Sequence, residues 1–456
     1  MFFDRHRFLV ILLALACLLA AQTVLPVAAF QRDRYRLVLR QAAEGVAPEY
    51  VLASALLGGF RGVFMTILWQ RAQSMKNDGQ YHEMVDIYNI ITKLQPGQHN
   101  AWAFMAWDLA YNVSVEFDEP PDRVFWVFRG IDLLRKQGIP KCPGVPELAQ
   151  ELAWIYYHKI GQDLDYGHPI YRLVLAQQIM RIFGDPLDSD AQTRYLKEIA
   201  RLPAEREKLA ADPAFATAAA ELRQRGFDIF ADARRLFART QRPEEAKDLM
   251  ERPEILEAVR RAALWKIGNA LREQAGMDPA IMCELAERYA PLDWRIPYAH
   301  SLYWASRAQT VHLQRNPRKL EVKYARLIYF SLMEMAKRGR LALGEDMYPF
   351  YLPEPRFIDA AIAYMDWMFK EFPAQAEALA RAQTAESGEE VKASSLWEPT
   401  GPRSGYMNFL RDALMDAYFQ DRRHDAARYL RKLAEICTEN DRPIGRSFSV
   451  QISASL

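Results

Sequence analysis

Residues 65–98 read MTILWQRAQSMKNDGQYHEMVDIYNIITKLQPGQ. Two helical runs flank Asp78-Gly79-Gln80, and in the second Met84, Ile87, Tyr88, Ile91 and Leu94 recur at three- and four-residue spacing. That period places them on one stripe of a helix, and Pro96-Gly97 then stops it.

The same grammar extends outward in both directions. Pro120-Pro121-Asp122 opens a helix with the stripe Val124, Phe128, Ile131 and Leu134, closed by Gly138 and Pro140. Pro146-Glu147 opens another carrying Leu148, Leu152, Tyr156 and Lys159, with Gly161 at its end. Similar segments fall near 168–183, 190–202, 255–275, 279–289, 297–310, 319–338, 355–371 and 406–437. No run alternates with period two for long enough to suggest a sheet, so the expected fold class is all-α. The Ala-, Glu- and Arg-rich stretch 197–224 has a thin apolar stripe and reads as a solvated outer helix within a charged connecting region, 184–254. Residues 384–405 combine Ser, Gly, Pro and charge and read as a long loop, and 440–456 as a tail.

With 456 residues the chain is too long for one ordinary domain, and its hydrophobic half excludes intrinsic disorder. Lys plus Arg total 59 against 58 Asp plus Glu, so no global basic field exists to hold nucleic acid. Cys17, Cys142, Cys283 and Cys437 are far apart and never in a CxxC pair, which leaves no local zinc ribbon or disulfide framework. What stands out is aromatic weight, with 10 Trp, 21 Tyr and 23 Phe, whose placement becomes the main clue.

Residues 8–21, FLVILLALACLLAA, continue as an uncharged run to Phe30, and roughly twenty apolar residues span a bilayer as a helix. Arg5 and Arg7 precede the run and Val27-Ala28-Ala29 resembles a cleavage site. An uncleaved signal anchor over 1–30 is the preferred reading; a cleaved signal peptide and a buried core helix are its alternatives. The short tail with two arginines favours a body outside the cytoplasm, in a periplasmic or other extracytoplasmic location. Arg32, Arg34, Arg36 and Arg40 after the span argue by the positive-inside rule for the alternative, a cytoplasmic body. Residues 31–64 then form a juxtamembrane segment, with Gly58-Gly59-Phe60-Arg61-Gly62 as a joint.

Ala72, Gly79, Tyr81, Tyr88 and Pro96 fall where a 34-residue repeat of the tetratricopeptide (TPR) family places its small, turn, aromatic and terminal residues, and Trp102 and Ala106 continue in step. Pro143, Leu152, Ala153 and Tyr156 repeat the match, as do Leu414, Tyr418, Ala427 and Ala434 within 406–439. The chain resembles that family over 65–183, more loosely over 255–383, and again over 406–439. It departs at Met84 and Ile91, where the family prefers alanine, at Leu109 and Met75, where it prefers an aromatic residue, and at Arg422, where the turn glycine belongs. The resemblance implies a right-handed superhelix of antiparallel helical hairpins whose first helices line a groove for a protein or peptide. In that register Trp69, Gln73, Trp107, Trp154 and Tyr157 project toward the groove, while Trp102, Leu152 and Tyr156 pack inside. Helix geometry supports part of this independently: Trp102 and Trp107 stand roughly 140° apart around the axis and cannot share one narrow face.

Catalytic constellations are not recognisable. His158, Asp163, Asp165 and His168 form the densest polar cluster, but the histidines lie ten residues apart across a turn, so turn formation and capping are the expected roles. Asp293-Trp294-Arg295 reads as an ion pair at the mouth of a helix. The single cysteines read as buried hydrophobes. The expectation is a membrane-anchored scaffold for protein–protein interaction or complex assembly in a bacterial-type cell envelope, without catalysis, cofactor or metal. The alternative is an envelope enzyme acting on a glycan or lipid in a Trp-rich groove, which requires Trp107 and Trp154 to share a pocket with His158, Asp163 or Asp165.

Overall fold

The computed structural model describes residues 30–31, 61–184, 188–238, 242–316, 321–344, 349–393 and 400–438. The apolar run at 8–30 lies, but for Phe30, outside them, as do Cys17, Gly58 to Phe60 and the tail from 440. Among the described residues no helix is long and apolar enough to cross a membrane. The described residues are all-α apart from one short antiparallel strand pair. The chain divides into two compact units, one ending at Tyr171 and the other beginning at Arg172, with a short exchange at 310–312.

The first unit is built of helical hairpins. The chain is already helical ahead of the expected 65, in α1 (Arg61–Asn77), and α2 (Tyr81–Leu94) returns along it. Gly79 makes the reversal at φ 72°, and the amide of Gln80 reaches back to the carbonyl of Met75, satisfying the end of α1. Helix α3 (His99–Trp107) and α4 (Pro120–Asp132) form the next pair, followed by α5 (Pro146–Trp154); α6 (His168–Phe183) begins in this unit and crosses into the second. Pro at the first turn of α4 and α5 starts each helix where no amide donor is needed. Ala106 and Ala110 let α4 approach α3 so closely that a Cβ built on Gly130 would lie 2.6 Å from the Ala106 carbonyl oxygen.

Helices α3, α4 and α5 each run on into a six-residue π turn, at Asp108–Val113, Leu133–Gly138 and Ile155–Ile160. Such turns are rare and displace side chains from their regular α register. Trp102, Leu152 and Tyr156 are buried, and the Trp102 indole N–H donates to the Pro96 carbonyl at 2.9 Å. Cys142, Cys283 and Cys437 are free and buried.

In the second unit, α7 (Ser189–Ile199), α8 (Arg206–Ala210), α9 (Pro213–Gln224), α10 (Ala233–Phe237) and α11 (Lys247–Met250) precede the longer α12 (Pro253–Gln274). The solvated helix expected over 197–224 is instead three short helices, and α9 buries Phe215, Ala218 and Leu222 in a core shared with Ile255, Val259 and Ala262 of α12. The alanine-rich composition hid this stripe because alanine contributes little to apparent amphipathicity. Helix α13 (Pro279–Arg288), α14 (Pro297–Arg315) and α15 (Val322–Arg338) follow. Strands β1 (Arg340–Leu343) and β2 (Pro349–Leu352) pair Arg340 with Leu352, and at four residues each are too short to show a period.

Asp293 and Arg295 form the ion pair expected just ahead of a helix, α14, and Asp293 is buried. It holds Arg295 in a two-point ion pair at 2.7 and 2.8 Å, and accepts from the Gln192 side chain and the Leu341 amide, which ties α7 to β1.

Helix α16 (Arg356–Ser387) continues through Pro373, well past the expected end at 371. The loop expected over 384–405 is accordingly shorter, because α17 (Thr400–Phe419) begins before 405. Helix α18 (Arg423–Thr438) closes a hairpin whose turn repeats the one after α1: Arg422 bonds back to Ala417 as Gln80 does to Met75. Asp421, at φ 56°, stands where Gly79 does, one residue before the expected Arg422. The same one-residue offset buries Ala426 and Leu433 where Ala427 and Ala434 were expected to pack.

Candidate functional site

Helices α1, α3 and α5 of the first unit, with the π turns that follow α3 and α5, present aromatic side chains in a row. On α1, Trp69 meets Phe104 of α3 edge-on at 5.5 Å between centroids. One helical turn further, Trp107 stacks on Tyr111 at 5.9 Å, and Tyr111 lies 5.8 Å from His158 in the π turn after α5. His158 stacks on Trp154 at 4.7 Å and 17°, and Trp154 touches Tyr157. Four expected groove residues, Trp69, Trp107, Trp154 and Tyr157, thus stand in this row, with Trp107 39% exposed. Gln73 is exposed but bonds along its own helix to Asn77 at 3.0 Å. Phe104, Tyr111 and His158 are row members the repeat register did not single out. A signal for two of them was present, since Tyr111 follows Trp107, and His158 follows Trp154, by four residues.

Two buried polar hubs hold this face. Asp108, fully buried at the start of its π turn, accepts from Lys76 of α1, from the Tyr88 hydroxyl of α2 at 3.0 Å and from Asn112 at 2.7 Å. Burial, then the charge and hydrogen bond of Asp108, push the Tyr88 hydroxyl's pKa far up, so Tyr88 acts as a fixed donor.

The second hub is Asp165. One oxygen accepts from Arg123 at 3.1 Å and from the Gly167 amide at 2.8 Å, the other from Lys159 at 2.5 Å and the Tyr171 hydroxyl at 3.1 Å. The Gly167 bond is the turn role expected of Asp165, and the ion pairs are additional. Burial acts to raise this carboxyl's pKa, but the Lys159 hydrogen bond and charge, with Gly167 and Tyr171, outweigh it and hold it below the usual carboxylate range. Burial lowers the Lys159 ammonium's pKa more than Asp165 restores it, with Arg123 adding to the lowering. The Arg123 guanidinium also donates to the carbonyls of Phe117 and Val115 and stacks on Tyr166.

Tyr111, His158, Lys159, Arg123 and Asp165 line a cleft of about 320 Å³, rimmed by Val115, Leu164 and Tyr166. Burial and the neighbouring Lys159 charge lower the His158 pKa, so its imidazole is neutral at pH 7. Asp163 faces His168 at 3.4 Å instead. Next to Tyr111, Glu151 buries one carboxylate oxygen with no hydrogen-bond partner, and burial pushes its pKa up to about 7. Among the described residues no group of three or more His, Cys, Asp or Glu is placed to hold a metal ion.

Comparison of the chain with protein-family models, with curated proteins and with solved structures finds no match.

Proposed function

We propose that this chain is a membrane-anchored TPR-like scaffold, its hairpins wound as a right-handed superhelix, that binds a protein partner in a bacterial-type cell envelope and catalyses nothing. The observation that carries this reading is the row from Trp69 to Tyr157. Partly exposed Trp and Tyr rings, set side by side on α1, α3, α5 and the π turns, supply large rigid contact area at low entropic cost, as interface hot spots do. The Asp108 and Asp165 hubs support it further, because they fix the helices that carry the rings.

The test is recovery of the full chain from membranes in mild detergent after crosslinking. A partner captured by the parent chain and lost from a Trp107→Ala/Trp154→Ala double variant supports the reading. Equal recovery with both refutes it. An alkaline phosphatase fusion after residue 40 separates an extracytoplasmic body, which gives an active reporter, from a cytoplasmic one.

One observation favours the enzyme alternative: His158 and Asp165 line one cleft, and Trp154 stacks on His158, although neither Trp154 nor Trp107 lines that cleft. Against it, the two oxygens of Asp165 already accept from four donors and its pKa is lowered, which makes it a poor base and leaves it no free oxygen for a substrate.

A further inference from the structure

We propose that the cleft beside Tyr111 receives a carboxylate side chain flanked by an apolar residue, from a peptide segment of the partner protein. This rests on the scaffold reading and names the partner's chemistry. Charge is the first argument. The cleft holds two cations, Arg123 and Lys159, against the single carboxylate Asp165, and His158 adds no charge at neutral pH. Among the lining residues cations therefore outnumber carboxylates by one, which favours an anion over a cation in the cleft.

Hydrogen-bonding capacity is the second argument. Both oxygens of Asp165 are fully used, and Arg123 gives three of its five N–H groups to Asp165 and two backbone carbonyls. An ammonium carries three donors, and Lys159, a lining residue of the cleft, gives one to Asp165 and otherwise lies over the Tyr111 and Tyr171 rings, which leaves two for a ligand.

Shape is the third. About 320 Å³ accommodates a side chain or two rather than a folded surface, and the rim is apolar and open, with Leu164 68% and Tyr166 59% exposed. An acidic residue next to a leucine or an aromatic residue satisfies the ammonium and the rim together.

The experiment uses the full chain in mild detergent and blocked, dye-labelled heptapeptides of Gly-Ser background. Each carries one Glu, or its near-isostere Gln, beside Leu, Ile, Phe or Trp, and binding is read by fluorescence anisotropy. The Glu peptides are expected to bind at least about tenfold more tightly than their Gln partners, with the preference shrinking as salt rises. Leu164→Glu places a like charge at the exposed rim without touching the core and is expected to abolish the preference. Lys159→Met is expected to do the same. Equal binding of Glu and Gln peptides, binding of neither, or a preference that survives Leu164→Glu overturns the proposal. If the double tryptophan variant still loses the membrane partner while no Glu preference exists, this inference fails and the scaffold reading stands.

Discussion

Replacing Glu151 by glutamine should stabilise the first unit at alkaline pH and leave it unchanged at acid pH. The Glu151 carboxyl sits beside Tyr111 with one oxygen buried and unpartnered, and burial raises its pKa from 4.5 to about 7. At 1.36 kcal/mol per unit this amounts to about 3 kcal/mol. The folded pKa is raised, so the neutral acid is the form the fold prefers. Stability is therefore full below about pH 4.5, falls as pH rises toward 7, and stays reduced by about 3 kcal/mol above it. Glutamine keeps the shape and cannot ionise, which removes the loss. Hydrogen exchange in the full chain, followed on peptides from α3 and α5 between pH 4.5 and 8.5, reads this locally and avoids assuming that the two units unfold together. The expected result is slower opening in Glu151→Gln at pH 8 by about two orders of magnitude and parity near pH 4.5. Parallel pH dependence in the two proteins would refute the reasoning.

Three further outcomes follow from the packing. Asp165→Ala strands Arg123 and Lys159 in the interior and should cost about 3–5 kcal/mol by denaturant titration of the first unit. In the parent, the lowered Asp165 pKa means that its contribution is complete above about pH 4 and is lost as pH falls further. Gly130→Ala drives a Cβ against the Ala106 carbonyl and should lower the melting temperature of that unit, with a cost of about 1–3 kcal/mol. Asp421→Gly relieves a left-handed backbone and should raise the stability of the α17–α18 hairpin by about 1 kcal/mol; a loss of stability would contradict the turn assignment.

Much of the first unit was legible from spacing. Gly79 marked a turn because only a residue tolerant of positive φ closes it, and Pro120 and Pro146 marked helix starts. The opposed fates of Trp102 and Trp107, buried and exposed, followed from five residues on a helix. What stayed hidden was non-local or irregular. Asp165 reads as a turn residue until the fold brings Arg123, 42 positions away, to the same carboxylate. The π turns shift side chains by a fraction of a turn that a 3.6-residue stripe cannot register. Asp421 took the glycine position because aspartate tolerates left-handed geometry, so a search for glycine put the C-terminal hairpin one residue out of step. In the second unit, the small residues of α9 pack without a visible stripe, and β1 and β2 are too short to alternate.

Site-specific photocrosslinking tests the scaffold reading most directly. A photoreactive residue at position 107, in the aromatic row, is compared in intact cells with one at Arg129, exposed on the second helix of the same hairpin. A discrete protein adduct at position 107 that is absent at 129 and disappears on Trp154→Ala is the predicted result. Equal adducts at both positions, or none at 107, would contradict it.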